Sequence, residues 1–322
     1  MQNYNVIQKI LHDLCFKFKI INNSLYEIEK LIYFRNINPI DTKHQKHIFI
    51  SGLPRSGTTT LLNYIYQNDE FASLKYKNMP FIFSVNLTSK INIQKNFKPK
   101  LRPHNDKIFF SLDSPEAFDE VFLNSINYEN SEEEFIKYVS LILKYYKKKK
   151  YLSKNNNNCK RIDFLKKTFP NAKFLIPFRN PLQQSLSLMN QDINFSKIHS
   201  NDKFVLRYMN FLGHNEFGIN HKPWFKPKLY YDRNDINYWI EQWVEFYSYY
   251  FNLYNKEKKS CKFICYEKLI DTSYQEELSK FLETNLSNKK QFDISFKPYP
   301  KKYDNDLFQT AIELYEKLNN LI

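Results

Sequence analysis

The segment at residues 51–59, SGLPRSGTT, constrains the fold of this chain more than any other feature. An apolar run, Ile48–Ile50, leads into it and a helical apolar pattern follows, so the sequence predicts a strand, a loop and a helix. Two of only 4 glycines in 322 residues, Gly52 and Gly57, lie in this loop. Glycine permits a positive φ and lets a ligand approach the main chain closely. Because free N–H groups and the helix dipole attract anions, we predict a phosphate-binding loop.

The position of the cation in this loop narrows the choice of ligand. The glycine spacing matches the nucleoside-triphosphate pattern GxxxxGK[ST], but Thr58 stands where that pattern has lysine. The cation lies inside the loop instead, at Arg55. Three hydroxyl groups add further donors: Ser56, Thr58 and Thr59. We therefore predict that the loop binds a phosphate ester without a metal ion, and keep a P-loop nucleotide kinase as the alternative.

A second phosphate site is predicted within residues 174–187, FLIPFRNPLQQSLS. Arg179 ends a buried apolar strand, and Ser187 follows eight residues later, in a helix that begins at Pro181. A guanidinium can bind a phosphate through two parallel hydrogen bonds. Ser187 lies about two turns into the helix, on the face that returns towards Arg179.

Together these two segments resemble the phosphate-binding motifs of sulfotransferases that use 3′-phosphoadenylyl sulfate (PAPS). GLPRSGTT is similar to the family's 5′-phosphosulfate loop, with Arg55 where the family has Lys or Arg. Arg179 and Ser187 match the spacing of its 3′-phosphate motif. The resemblance implies a PAPS-binding set of eight residues: Gly52, Arg55, Ser56, Gly57, Thr58, Thr59, Arg179 and Ser187. It covers residues 47–270 and implies transfer of sulfonate from PAPS to an acceptor hydroxyl, with release of PAP.

The branch of this family is indicated by a missing feature. The C-terminal Gly-rich nucleotide loop of the cytosolic small-molecule enzymes has no counterpart, since no glycine follows Gly218. The resemblance therefore favours the bacterial and the carbohydrate- or protein-type branch. We expect a carbohydrate or glycoconjugate acceptor, while a lipid-linked sugar, a protein tyrosine and a small metabolite stay open.

The catalytic residues follow from the same resemblance. The segment around Lys154 is similar to the family's lysine-containing segment, so Lys154 is predicted to reach the sulfonate or the bridging oxygen. Sulfuryl transfer resembles phosphoryl transfer in developing charge on the leaving oxygen. Preorganised cations there stabilise the transition state, and Arg55 and Lys154 are the candidates.

An acceptor hydroxyl also needs a general base, and here the sequence leaves alternatives open. Several branches have a glutamate about twenty residues after the loop cation, but residues 74–77 contain no carboxylate. His104 lies near the position of the catalytic histidine of small-molecule sulfotransferases, and its usual pKa suits a base. Glu116 and Asp113 are the other candidates. We interpret the neighbouring pair at 119–120 as surface charge.

Composition adds little to these motifs. Lys and Arg number 48 against 34 Asp and Glu, a net charge of +14, which favours anionic partners such as an acidic glycan. The abundance of Lys, Asn, Ile, Tyr and Phe is also typical of AT-rich codons, so the charge is weak support. The lysine runs are short and no nucleic-acid motif is present, which makes a nucleic-acid or membrane-surface protein the weakest alternative.

Compartment and metal binding are predicted from the cysteines and the N-terminus. None of the 4 cysteines has a metal-site spacing, so we expect a reducing compartment and no metal site. No signal peptide and no bilayer-spanning apolar stretch is recognised. We therefore expect a cytoplasmic protein that binds PAPS and a hydroxyl acceptor, and no nucleic acid.

The fold class predicted is α/β, a P-loop-type parallel β-sheet flanked by helices with an extra N-terminal helical segment. We predict a single domain, 1–322, made of a helical extension at 1–40, a core at 47–270 and a C-terminal helical region at 271–322. Apolar positions at helical spacing in the extension are expected to pack on the core: Val6, Ile10, Leu14, Phe18, Leu25, Ile28, Leu31 and Ile32. By composition the asparagine run at 155–158 indicates a solvated loop, although it also lies within the segment that resembles the family's lysine-containing segment.

Overall fold

Seven strands are present in the computed structural model, which describes residues 4–91, 99–101, 109–126, 131–286, 292 and 302–322. The strands are β1 (Ile48–Ile50), β2 (Phe71–Ala72), β3 (Lys100–Leu101), β4 (Phe109–Phe110), β5 (Lys150–Lys154), β6 (Lys173–Phe178) and β7 (Cys261–Cys265). Five of them form a sheet in the order β2-β5-β1-β6-β7, in which every pairing is parallel. The strands β3 and β4 form a separate antiparallel pair.

Twelve α-helices connect and cover these strands in the described residues. They are α1 (Val6–Lys17), α2 (Lys19–Tyr33), α3 (Pro39–Lys43), α4 (Thr58–Tyr66), α5 (Asp119–Leu123), α6 (Ser131–Tyr146), α7 (Ile162–Thr168), α8 (Pro181–Asn201), α9 (Lys203–Phe211), α10 (Ile236–Glu257), α11 (Thr272–Leu282) and α12 (Asn305–Asn319). Short 3₁₀ helices span Tyr76–Asn78, Asn156–Lys160 and Tyr266–Ile270. The described part of the chain contains no helix long and apolar enough to cross a membrane.

Both faces of the parallel sheet are buried, as the continuous apolar strands require. Alternate residues of a strand point to opposite faces. Phe49 packs in the cluster that includes α6, α8 and α10, whereas Ile48 and Ile50 pack in a second cluster with residues of α4 and α11. The predicted fold class, a parallel sheet flanked by helices with an N-terminal helical segment, is confirmed.

The N-terminal helices α1 and α2 form as predicted, but the packing predicted for them is wrong. Polar side chains such as His12, Asn22 and Glu29 are buried against the core. Most of the aliphatic residues expected there are exposed instead, including Val6 at 72% and Leu31 at 63%. Glu29 explains part of this inversion, because its carboxylate accepts hydrogen bonds from the backbone N–H groups of residues 86 and 87 at 2.8 and 2.9 Å. Periodicity shows that a helix is amphipathic, but not which face meets the core.

Two further sequence interpretations are corrected by the structure. The sequence pattern predicts a helix over 181–190 and a polar, aromatic insertion over 200–235, but α8 runs to Asn201 and α9 lies within that second region. The asparagine run is not a solvated loop, since Asn156–Lys160 is a 3₁₀ helix and three of the four asparagines are buried. The sequences of β2 and β5 show no recognisable alternation of apolar and polar residues. These strands are identified by their parallel pairing with neighbouring strands.

Candidate active site

The carboxyl edge of the sheet brings the sequence motifs together. Ile50 at the end of β1 is in register with Lys154 at the end of β5, and Phe178 at the end of β6 is in register with Cys265. The phosphate loop and Arg179 therefore leave neighbouring strands at the same edge. β1 also lies between β5 and β6, where the connections diverge to opposite sides, which is the position at which open α/β sheets bind ligands.

The phosphate loop has a backbone that its glycine makes possible. Gly57 has a φ of 88° and caps the N-terminus of α4, which begins at Thr58. A Cβ at Gly57 would lie 2.2 Å from the ring of Tyr266, so both conformation and space demand glycine. Gly52 is similarly close to strand β6, because its Cβ would lie 2.8 Å from the carbonyl oxygen of Pro177. Arg55 also has a positive φ, 68°, a conformation that costs a non-glycine residue roughly 1 kcal/mol.

Side chains from α8 and α10 fix this loop in place. Gln184 of α8 donates from Nε2 to the carbonyl oxygen of Pro54 at 3.0 Å, and its Oε1 accepts from Nε1 of Trp243 at 3.0 Å. The hydroxyl of Ser56 donates inward to the carbonyl of Leu53 at 2.7 Å, and its role as a ligand donor stays a prediction. Sequence reasoning missed Gln184, because nothing local indicates that a helix residue will reach this loop.

The two predicted phosphate motifs meet in the folded chain. Nε of Arg55 donates to Oγ of Ser187 at 2.9 Å, and Ser187 is only 5% exposed. The guanidinium of Arg179 lies 5.3 Å from the ring centre of Tyr266, and its Nε lies 3.9 Å from Oε1 of Glu267. The ring and carboxylate thus hold Arg179 beside the loop after β7.

A cavity opens next to the phosphate loop. Part of the lining belongs to the phosphate loop or to the end of β5 and the residues after it, and it is called the nucleotide side below: Pro54, Arg55, Thr58, Thr59, Lys154 and Asn156. The large apolar and aromatic lining residues are called the apolar wall below: Phe118, Phe195, Tyr208, Met209, Leu212 and Phe217. Glu116, His214 and Glu216 also line the cavity. Of the predicted catalytic residues, Arg55, Lys154 and Glu116 therefore face one space, and Ser187 adjoins it through Arg55.

Lys154 and Glu116 form a buried ion pair in this cavity. Nζ of Lys154 lies 2.9 Å from Oε1 of Glu116, and each side chain is 7% exposed. The same carboxylate oxygen accepts from the N–H of Ala117 at 3.0 Å, while Oε2 accepts from the hydroxyl of Tyr76 at 3.1 Å. Breaking such a pair from one side leaves a buried charge, so each group fixes the other.

A second polar pair, His214 and Glu216, was missed from the sequence. Nδ1 of His214 lies 3.2 Å from Oε1 of Glu216, which also accepts from Nδ2 of Asn156 at 3.2 Å. Burial lowers the pKa of His214, but the adjacent Glu216 carboxylate outweighs burial and leaves that pKa above its usual value. Burial raises the pKa of Glu216, and the imidazole outweighs it to leave that pKa below its usual value. Both residues lie in the region read as a polar insertion, where no motif marks them.

The other base candidates differ in what the structure says of them. His104 lies outside the described residues and stays a prediction. Asp113 lies at the surface, where its Oδ1 is 2.9 Å from Nζ of Lys77 and its side chain is 69% exposed. It lies outside the set of residues that line the cavity.

The interpretation of Asp119 and Glu120 as surface charge is wrong, since they are 2% and 3% exposed. Arg161 donates to both carboxylate oxygens of Glu120, at 2.7 and 3.0 Å. Nδ2 of Asn155 donates to Glu120 at 2.6 Å and to Asp119 at 3.3 Å, and Ser153 donates to Asp119. This network accounts for the buried position of Asn155, and it fixes the end of β5 from which Lys154 projects.

Comparison with known proteins agrees with this geometry. The model of the Sulfotransferase family matches residues 47–276, and this chain belongs to that family. Sulfotransferase STF1 from Mycobacterium tuberculosis H37Rv has a similar fold, with a TM-score of 0.53 and 12% identity over 98% of this chain and 87% of that one. Sulfotransferase STF9 from Mycobacterium avium matches with a TM-score of 0.48 and 10% identity over 92% and 72% of the two chains. No protein of curated function matches the sequence significantly. The chain is a sulfotransferase by family and fold.

Proposed function

We propose that this sulfotransferase uses PAPS as its donor and transfers the sulfonate to an acceptor hydroxyl, releasing PAP. The observation that carries the proposal is the 2.9 Å contact between Arg55 of the phosphate loop and Ser187 of the second motif. That contact brings the two predicted phosphate-binding elements together at one edge of the sheet, which supports a nucleotide with phosphates at both its 5′ and 3′ positions. For the acceptor, the sequence favours a carbohydrate or glycoconjugate and leaves a small metabolite open.

The binding roles follow from where each group lies. The loop from Gly52 to Thr59 offers N–H groups at the N-terminus of α4 to the 5′-phosphosulfate, with the hydroxyls of Thr58 and Thr59. Arg179 and Ser187 are assigned to the 3′-phosphate. Ring stacking on Tyr266 limits the guanidinium to a narrow range of orientations, which lowers the entropy lost when it binds a phosphate.

The chemical roles are assigned to the cavity. Transfer forms a bond from the acceptor oxygen to sulfur and breaks the bond from sulfur to the bridging oxygen, whose electron pair stays on PAP. Arg55 and Lys154 on the nucleotide side are the cations assigned to stabilise the charge that develops on that oxygen. Glu116 holds Lys154 at 2.9 Å, which supports a role for Glu116 in positioning this cation.

A P-loop nucleotide kinase is the competing function, and ligand binding separates the two. PAP at about 100 times its Kd should stabilise the protein by about 2.7 kcal/mol, a rise in Tm on the order of 5 °C. Mg-ATP at the same concentration should give a smaller shift, and omitting Mg²⁺ should leave the PAP shift unchanged. A larger shift with Mg-ATP, or none with PAP, would reject the proposed donor.

A further inference from the structure

The residues that line the cavity fall into two chemically different sets. Only the nucleotide side is assigned to binding the donor. The nucleotide side carries the loop and both cations found among the described lining residues, Arg55 and Lys154. The apolar wall consists of six large apolar or aromatic residues, each buried to 6% exposure or less. Glu116 and the pair of His214 and Glu216 line the same cavity. A donor bound by the loop leaves this wall and these polar groups for the second substrate.

We propose that the apolar wall is the acceptor site, that it takes an uncharged alcohol or phenol with an apolar body, and that His214 removes the proton of the reacting hydroxyl. This inference rests on the proposed function, because it needs a sulfonate held on the nucleotide side. The net charge of the chain favours an acidic glycan as acceptor. The residues that line the cavity favour an uncharged acceptor with an apolar body instead.

The composition of the apolar wall supports an apolar acceptor body. Small-molecule sites are lined mostly by apolar and aromatic side chains, with a few polar groups that fix orientation. Phe195 and Phe217 stack with their ring centres 6.3 Å apart, and both face the cavity. A fully hydrated sugar chain would gain little from this surface, whereas an alkyl or aryl group would be removed from water.

The charges beside the wall disfavour an acidic acceptor. Two buried carboxylates, Glu116 and Glu216, line the cavity, and each is already paired, with Lys154 and His214 respectively. The other cation, Arg55, belongs to the phosphate loop and is assigned to the donor. An acceptor carboxylate or sulfate placed here would lose its hydration without gaining a cation of its own.

His214 has the geometry of a general base. A proton on Nδ1 donated to Glu216 leaves the lone pair on Nε2 to accept from the substrate hydroxyl. Glu216 is then a positioning residue, which orients the ring and stabilises the imidazolium formed during transfer. Glu116 is less suited as the base, because both of its oxygens already accept hydrogen bonds, from Lys154, Ala117 and Tyr76.

The complete step conserves atoms and charge. The acceptor oxygen forms a bond with sulfur as its proton moves to Nε2 of His214, and the bond from sulfur to the bridging oxygen breaks. PAP leaves with that electron pair, and the sulfate ester carries the negative charge of the transferred group. The proton on His214 is then released to solvent.

Acceptor binding can be tested in the complex with PAP, before any turnover is measured. The probes are hexyl β-glucoside, hexyl β-glucuronide, which adds a carboxylate, and methyl β-glucoside, which lacks the apolar body. Titration calorimetry on the PAP-saturated protein should give at least 10-fold tighter binding of hexyl β-glucoside than of hexyl β-glucuronide or methyl β-glucoside. In the Phe217→Ala variant this preference should shrink while the PAP shift in Tm stays. Equal affinities, no binding, or tighter binding of the glucuronide would overturn the acceptor assignment.

The base can be tested with labelled PAPS and hexyl β-glucoside. His214→Gln should lower turnover at least 100-fold and keep the PAP shift in Tm, whereas Glu216→Gln should move the acidic limb of the pH profile to lower pH. The direction follows because Glu216 raises the pKa of His214, and the base works only when unprotonated. Full activity of His214→Gln, or an unmoved limb in Glu216→Gln, would remove the pair from catalysis. Loss of the PAP shift in the wild type would instead reject the proposed donor.

Discussion

At the scale of single residues, the phosphate loop depends on backbone conformations that few side chains tolerate. Gly57 combines a φ of 88° with the ring of Tyr266 against its Cα, and Arg55 adopts a φ of 68° without being glycine. Backbone strain of this kind concentrates where a ligand must meet the main chain. The conformation of the loop therefore depends on Tyr266, the residue that follows β7, as well as on the sequence of the loop itself.

The Gly57→Ala variant tests this dependence. The added methyl group would overlap the Tyr266 ring. The backbone of residue 57 would also keep a left-handed conformation that costs alanine roughly 1 kcal/mol, so the loop must move. We expect at least a 10-fold loss of PAP affinity by titration calorimetry, with the far-ultraviolet circular dichroism unchanged. Wild-type affinity in this variant would mean that the loop does not contact the nucleotide.

At the scale of residues the sequence carries only local signals, and the site roles drawn from them stay predictions. Two pairs of residues could be found because the members of each pair lie at a fixed spacing within one strand–loop–helix segment. These pairs are Gly52 with Gly57 and Arg179 with Ser187. Gln184 and His214 could not be found, since their roles depend on contacts with Pro54 and Glu216 that only the folded chain brings about. Such contacts leave no periodicity in the sequence.

At the scale of elements, the network around Glu120 connects α5, β5 and the following 3₁₀ helix. Glu120 is 3% exposed and accepts from Arg161 and from Asn155, which follows Lys154 directly. Burial raises the pKa of this carboxyl, but the Arg161 guanidinium outweighs burial and leaves that pKa below its usual value. The network therefore holds an ionised carboxylate behind a predicted catalytic lysine.

Substitution of Glu120 should lower the free energy of unfolding far more than substitution of an acidic residue at the surface. Glu120→Gln leaves Arg161 buried without its charge partner, and we expect a loss of about 3 kcal/mol in the free energy of unfolding. Glu132→Gln is the matched control, because Glu132 pairs with Lys167 at the surface, where such pairs contribute about 1 kcal/mol or less. Urea denaturation of both variants measures the difference. Equal losses would show that the buried network does not stabilise this element.

Element prediction worked for strands and helices with clear apolar patterns and failed for orientation. The sequence predicts a buried apolar strand at 173–178 and a helix from the capping box at 131–134 to residue 146, and β6 and α6 have those bounds. The outward apolar faces of α1 and α2 could not be anticipated, since Glu29 is held by the distant N–H of Asn86 and Asn22 donates to the carbonyl of Cys15 in the preceding helix. The single-domain organisation stays a prediction.

At the scale of the whole molecule, stability should fall in mild acid because neutral histidines are buried. The N–H of Tyr151 donates to Nδ1 of His47 at 2.9 Å, and Nε2 donates to the carbonyl of Thr42 at 2.8 Å, so the ring has no site for a second proton. Burial lowers the pKa of His47 to about 4 and that of His12 to about 4. Stability is therefore full above the unfolded-state pKa of about 6.5 and is lost as pH falls towards 4.

The contribution of His47 can be isolated with a substitution. Between pH 7.5 and pH 5 each buried histidine should cost about 2 kcal/mol of unfolding free energy. The His47→Gln variant should therefore lose about 2 kcal/mol less than the wild type over this range, whatever its stability at pH 7.5. His44→Gln, at an exposed position, should behave as the wild type. An unchanged pH dependence in His47→Gln would contradict the buried neutral ring.

The central claim is that two phosphate sites at one sheet edge select PAPS, and one comparison of affinities tests it most directly. Titration calorimetry would compare PAP with adenosine 5′-phosphate, which lacks the 3′-phosphate, in the wild type, in Arg179→Ala and in Arg207→Ala. Arg207 is the control, since it pairs with Asp13 and its side chain is 55% exposed. We predict at least 100-fold tighter binding of PAP in the wild type and in Arg207→Ala, and a ratio near one in Arg179→Ala. Equal affinities for the two nucleotides in the wild type would contradict the account.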